Sequence, residues 1–440
     1  MPYDSALMDH SFEAPEPTES DQVEGGPWID DSKPATAARA LFVGIFLLMA
    51  GNGLQGSLLG VRSEAEGFSL QVTGIVMASY FAGFLAGSKY AEHLLARVGH
   101  IRVFAGLAST ASSAVLVHAV FVSPVTWGLM RFVSGMCMAG LYVVAESWLN
   151  DLATNATRGR ILSVYMLVTM GGLTAGQFML DLANPDGFEL FVLSSILVSA
   201  SLVPVVLSAS SSPPLSVPEP LSLRELARLV PTGVVTAFWV GTSAGVIMGL
   251  SAVYAVNVGM SPGRVTTFLA APLVGSVVFQ WPIGYMSDRV SRRAVMFWVA
   301  VVASAVCLAL TLVAAGTWPA ISLMFALGGM TFPLYSLTIG YTADWLPVAK
   351  LNSASAALVR TNGVGAVLGP LLGAAAMSAT GASAFFWTLV FAHAVIAAYI
   401  GYRIVVADAP PVQNRRRFVA IPVRASSMAF NLISRRRRRS

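Results

Sequence analysis

Twelve apolar runs of about 20 residues each constrain this chain more than any other feature. They lie near 40–61, 71–89, 102–122, 127–148, 160–181, 188–209, 232–257, 265–283, 294–315, 318–340, 353–377 and 383–405. At about 1.5 Å per residue, a helix of that length crosses the hydrocarbon core of a bilayer, about 30 Å thick. In that core each backbone N–H and C=O needs a partner within the chain, and a helix supplies it locally. The expected fold class is an all-α integral membrane protein with twelve transmembrane helices. Composition points the same way, with 55% of residues hydrophobic and 11% charged, where a soluble chain carries about 25% charge. Cys137 and Cys307 both fall inside apolar runs, so neither a disulfide framework nor a metal site is expected.

The polar segments set the domain organisation. Residues 1–38 carry Asp or Glu at positions 4, 9, 13, 16, 19, 21, 24, 30 and 31 against Lys33 alone. They read as a disordered acidic tail and not as a signal peptide, which needs a basic start and an apolar core. Residues 210–230 combine Ser, Pro and the Arg224/Glu225/Arg228 patch, and read as a linker ending in an interfacial helix. The linker separates a six-helix bundle at 39–209 from a second at 231–406. Residues 407–440 form a basic tail with Arg415–Arg417, Arg424 and Arg435–Arg439. If the amino terminus is inside, the inner loops hold Lys89, Arg97, Arg102, Arg158, Arg160, Arg224, Arg228, Arg289, Arg292, Arg293 and Lys350. The outer loops then hold only Arg62 and Arg264. That asymmetry places both termini in the cytoplasm.

The halves match at one offset. Gly87 and Gly284 are 197 apart, as are Trp148-Leu149 and Trp345-Leu346, Gly172 and Gly369, and Gly176 and Gly373. A duplicated six-span unit, with two halves facing each other across a central cavity, is the expected arrangement.

Between the eighth and ninth runs stands Gly284-Tyr-Met-Ser-Asp288-Arg289-Val-Ser-Arg292-Arg293, a tight charged turn. Its pattern Gly-x-x-Ser-Asp-Arg-x-x-Arg-Arg resembles the signature loop of the major facilitator superfamily of secondary transporters. The first-half counterpart, Gly87 to Arg102, departs from it: it is longer, its acid is Glu92, and His100 occupies a basic slot beside Arg97. The resemblance implies that these loops gate the cytoplasmic ends of the two halves. Arg131-x-x-x-Gly135 in the fourth run resembles a second family motif. Glu146, Asp151 and Arg158-Gly159-Arg160 resemble the family's inner-end charge cluster, in which Glu146 is expected to pair with Arg158 or Arg102. Gly365-x-x-x-Gly369-Pro370-x-x-Gly373 resembles the family's antiporter motif. The family carries that motif in the fifth span, where this chain has Gly172-x-x-x-Gly176-Gln177. For these glycines, close helix packing is the simpler role. The strings around Asn52-Gly-Leu-Gln55, Glu146 to Asp151, Phe332 to Tyr335 and Asp344-Trp345-Leu346-Pro347 resemble a bacterial branch, the YcaD-like transporters, over roughly 40–405.

Polar groups inside the spans are the candidate solute contacts, because lipid does not tolerate them unpartnered. Asn52 and Gln55 share one face of the first helix. Residues 131, 135, 138, 142 and 146 share one face of the fourth, giving Arg131 and Tyr142. Gln177, Gln280, Trp281, Tyr335 and Asn362 complete the set with Arg360. Arg360 lies eight residues past Asn352, roughly 12 Å into the bilayer, and is expected to face water or an acid. Arg131 has two readings, snorkelling to the outer surface or work on the solute. Such amides serve polyol recognition beside aromatics, or an amphipathic pocket beside Met and Phe. The gating set is Glu92, Arg97, Glu146, Arg158, Asp288, Arg289, Arg292 and Asp344. His118 and His393 read as packing residues.

The expected function is secondary active transport of a small solute across the inner membrane by alternating access, with proton-coupled efflux as the drive and direction. A transporter-like receptor signalling through its tails is the rival reading. No cofactor, metal or nucleic acid is expected, and a monomer in a lipid bilayer suffices. An enzyme is disfavoured, since the spans hold no Ser/His/Asp set, His-rich cluster or carboxylate pair.

Overall fold

A computed structural model describes residues 32–154, 157–208, 222–347, 350–406 and 418. The expected acidic tail up to residue 31, most of the linker and most of the basic tail lie outside them. The described helices are α1 (Ser32–Ala65), α2 (Leu70–Val98), α3 (His100–Val120), α4 (Pro124–Leu152), α5 (Arg158–Phe178), α6 (Glu189–Ala200), α7 (Leu202–Ser208), α8 (Leu223–Leu229), α9 (Pro231–Asn257), α10 (Pro262–Arg289), α11 (Arg292–Leu312), α12 (Trp318–Trp345), α13 (Leu351–Thr380) and α14 (Ala384–Val406). Among the described residues, twelve segments are long and apolar enough to cross a membrane, the sixth being α6 and α7 together. The helix α1 starts at Ser32, earlier than the sequence pattern suggests.

Local chemistry sets the helix ends. Ser69, Ser123 and Thr317 each accept a hydrogen bond from a backbone N–H three residues on, capping α2, α4 and α12. Gly67 and Gly259, both at φ 71°, make the mirrored turns α1–α2 and α9–α10. Both expected charged loops are shorter than their sequence suggests. The helix α2 continues to Val98 and turns on Gly99 alone, and α10 continues to Arg289 and leaves only Val290 and Ser291 before α11.

The two halves pack alike. In each bundle the second helix lies on the fourth (α2 on α4, α10 on α12) and the first on the fifth (α1 on α5, α9 on α13). Glycine makes these contacts possible. A Cβ on Gly135 would stand 1.9 Å from the Tyr80 carbonyl, and one on Gly275 would stand 1.9 Å from the Phe325 carbonyl. Gly172 faces the Phe46 carbonyl as Gly369 faces that of Thr242, so the repeated glycines hold the helices close, as the packing reading expects. Between bundles, α1 meets α9, α2 meets α13 and α5 meets α10, as a pseudo-twofold axis requires.

The core divides unevenly along this axis. At the end of the α1–α2 and α9–α10 turns, one continuous cluster contains Leu54, Leu58, Val76 and Met77 of the first bundle with Ile247, Leu250 and Val253 of the second. Here Gln71 donates to Ser378, and Thr266 donates to Asp181 at 2.8 Å. Toward the other end one cluster is centred on the first bundle around Phe104, Leu141 and Leu149 and takes in Leu273 and Ala366 of the second, and another around Met296, Leu334 and Leu337 lies within the second.

Candidate functional site

Between the bundles lie two adjacent compartments. The first is polar. Its wall includes Asn52 and Ser57 from α1, Tyr80 from α2, Arg131 from α4, Gln177 from α5 and Ser251 from α9, closed by Leu269, Pro272 and Leu273 of α10. Gln177 is held in place: it accepts a hydrogen bond from Ser57 and donates to the Leu173 carbonyl at 3.2 Å. Arg131 is 4% exposed, and its guanidinium carbon stands 4.5 Å from the centre of the Tyr80 ring. That geometry is a cation–π contact inside the protein, not a side chain snorkelling to the surface. The second compartment is apolar, lined by Phe81, Phe84, Leu85, Met166, Met170 and Phe332, with Val359, Asn362, Gly363 and Ala366 from α13. Leu173 and Met248 belong to both walls.

The other expected solute contacts are distributed differently. Gln55 donates to Ser134 at 3.3 Å and Tyr142 to the Met49 sulfur at 2.9 Å, so both tie α1 to α4. Tyr335 is fully buried within the second bundle. Asn362 donates to the Ala237 carbonyl at 3.1 Å while lining the apolar wall. Gln280 donates to Ser336 at 2.8 Å, and with Trp281 it borders a separate cleft of about 410 Å³ between α5 and α10. Trp281 is 74% exposed, on the outer surface. Arg360 corrects the expectation of a cavity-facing cation. It is exposed, on a flank of α13 with Val364 and away from Asn362, Gly363 and Ala366. Counting residues gives its depth, but each residue turns the helix by about 100°, and the direction follows only from what packs against α13.

Of the expected gating charges, Arg292 and Asp344 form a buried ion pair in the second bundle, with the exposed Asp288 beside it. Arg292, 4% exposed, donates to Asp344 at 2.7 Å, and its other terminal nitrogen is 3.5 Å from Asp288. Asp288 also accepts the Phe418 backbone N–H at 2.7 Å, and Arg289 lies 3.6 Å over the Tyr285 ring. The counterpart in the first bundle is neutral, with His100 Nε2 and Ser147 Oγ 2.8 Å apart at the start of α3 and the end of α4. Ser147 stands 197 positions before Asp344, so a His–Ser pair replaces an Arg–Asp pair at the same place in the repeat. Glu146 is fully buried and accepts the Tyr165 hydroxyl at 2.7 Å. Of its expected partners Arg102 is exposed, and the Arg158 side chain lies outside the described residues, as does that of Glu92. Arg97 is exposed. His118 and His393 pack in the helical cores, each with a ring nitrogen on the carbonyl four residues earlier.

Ser57, Tyr80, Ser251 and the Phe/Met wall escaped the sequence reading. Serines and aromatics are common throughout these helices, and no local spacing separates a chamber-facing one from a packed one.

The profile described as Major Facilitator Superfamily matches residues 232–439. An uncharacterized MFS-type transporter named YcaD, from Escherichia fergusonii, is 26% identical over 339 residues, covering 75% of this chain and 86% of that protein. By these matches the chain is similar to the major facilitator superfamily over its second half and to YcaD-type transporters over three quarters of its length. Solved structures share the fold. That of the nucleoside transporter NupG superposes with a TM-score of 0.71 at 12% identity, covering 83% of this chain and 99% of that one. That of a bacterial homologue of the human lysosomal transporter Spinster, in an inward-facing and unoccupied conformation, superposes with a TM-score of 0.64 at 13% identity, covering 92% and 98%. The described residues thus form an all-helical fold with twelve segments long and apolar enough to cross a membrane, as in these solved transporter structures.

Proposed function

We propose that this protein is a secondary active transporter moving a small solute across the inner membrane by rocking the 39–209 bundle against the 231–406 bundle. The polar compartment carries the reading. A cation and two amides gathered between two repeats, walled by helices from both, are what alternating access needs at its pivot. The chamber is complete within one chain, so the unit is a monomer. With both termini cytoplasmic, as the Lys/Arg asymmetry favours, the merged core lies at the outer end and the clusters centred on single bundles toward the inner end. The conformation is then open toward the cytoplasm, and the Arg292–Asp344–Asp288 group awaits a partner across the gap when that end closes.

Proton-coupled efflux is the drive and direction we assign. Two buried carboxylates stand out among the described residues, Glu146 and Asp344. Of the two we assign Glu146, which accepts the Tyr165 hydroxyl, as the proton carrier. Proteoliposomes with an imposed pH gradient test both points. We expect Glu146→Gln to abolish gradient-driven flux while solute exchange at equal pH continues. Flux that ignores the gradient in the parent protein would refute coupling, and absence of solute movement under any gradient would refute transport.

A further inference from the structure

We propose that the solute of this chamber is an amphipathic organic anion, with its acidic head by Arg131 and its apolar body along the Phe/Met wall. The proposal rests on the transporter reading above and adds the substrate class. Three observations carry it. First, the head compartment is lined by Arg131, Asn52, Ser57, Gln177 and Ser251 and by no Asp or Glu. A guanidinium presents five donors and a fixed charge, so in a low-dielectric cavity it attracts an anion and repels a cation. Second, the adjoining compartment is walled by Phe81, Phe84, Phe332, Met166 and Met170. An inorganic ion gains nothing from such a wall and a polyol finds no hydrogen-bonding partner on it, whereas aromatic rings and flexible thioethers accommodate apolar chains of varied shape. Third, Met166 also lines the cleft between α5 and α10, whose rim carries the stacked pair Trp281 and Tyr285, ring centres 5.6 Å apart. Both rings are exposed on the outer surface of α10, and Trp281 lies eight residues, about 12 Å, before the helix end. The tail compartment and this outer cleft thus share the flexible Met166 in their walls, which suits a solute that partitions into lipid.

The test uses the full chain in lipid nanodiscs, with binding to empty nanodiscs subtracted, and alkyl sulfonates as probes because they stay ionised. Decanesulfonate is expected to bind at least tenfold more tightly than butanesulfonate, and decyltrimethylammonium not to bind. Arg131→Gln should weaken decanesulfonate at least tenfold, and Phe84→Ala should flatten the chain-length dependence. Arg131→Lys, which keeps the charge, should retain most binding and serves as the folding control. Equal binding of the alkyl cation, or an Arg131→Gln protein that folds and binds decanesulfonate unchanged, overturns the proposal. The two readings fail separately. Decanesulfonate that binds but never crosses proteoliposomes refutes transport alone, and gradient-driven flux of a cation in preference to it refutes the anion alone.

Discussion

Arg292 shows how much rests on one side chain. Its guanidinium joins the start of α11 to the ends of α10 and α12 through Asp344 and Asp288, and it fills the space over Gly340. Removing it leaves the Asp344 carboxylate buried without its cation, which costs about 3–5 kcal/mol. We expect Arg292→Ala to lower the thermal unfolding midpoint in detergent markedly and Arg292→Ala/Asp344→Asn to recover much of the loss; a double variant no better than the single would show that the ion pair is not what the arginine supplies. His100 and Ser147, the neutral pair at the matching place, should tolerate His100→Asn with little change in the same measurement. Gln55 lies three residues from Asn52 on the same helix, yet Gln55 ties α1 to Ser134 and Asn52 lines the chamber. Gln55→Ala is therefore expected to reduce stability by about 1 kcal/mol, as for a lost buried hydrogen bond, and to leave solute affinity unaltered in an equilibrium binding assay.

Among the elements, α2 with α4 and α10 with α12 are fused by glycines whose missing side chains let backbones touch. A leucine at Gly135 would drive into the Tyr80 backbone and displace the residue that holds Arg131. Gly135→Leu should therefore prevent recovery of monodisperse protein by size-exclusion chromatography, whereas Gly106→Leu, where a Cβ meets nothing within 4 Å, should be recovered normally. The α5–α13 relation works the same way. Gly172 and Gly176 sit on α1 as Gly369 sits on α9, so the resemblance of Gly365–Gly373 to a functional motif is accounted for by helix packing.

For the molecule as a whole, the decisive feature is one core shared by both bundles at one end and two clusters, each centred on one bundle, toward the other. Gln71 and Ser378 are hydrogen-bonded across the bundles at the merged end. A disulfide between Gln71→Cys and Ser378→Cys should hold that end shut, stop transport, and release it on reduction. The native Cys137 and Cys307 are buried and add little background. Transport that continues at full rate in the crosslinked protein would rule out rocking about this interface.

The twelve spans, the repeat offset and the signature turn were legible in sequence, because a bilayer demands long apolar runs and duplication preserves spacing. Depth was legible too, since residues climb a helix at a fixed rise. Direction around each helix was not. Arg131 turned inward onto Tyr80, Arg360 stayed exposed, and Gln280 met Ser336, outcomes set by which helices press on which faces. In these spans both the lipid side and the packed side are apolar, so periodicity cannot tell them apart, and only the packing of the two bundles decides which polar groups share a chamber.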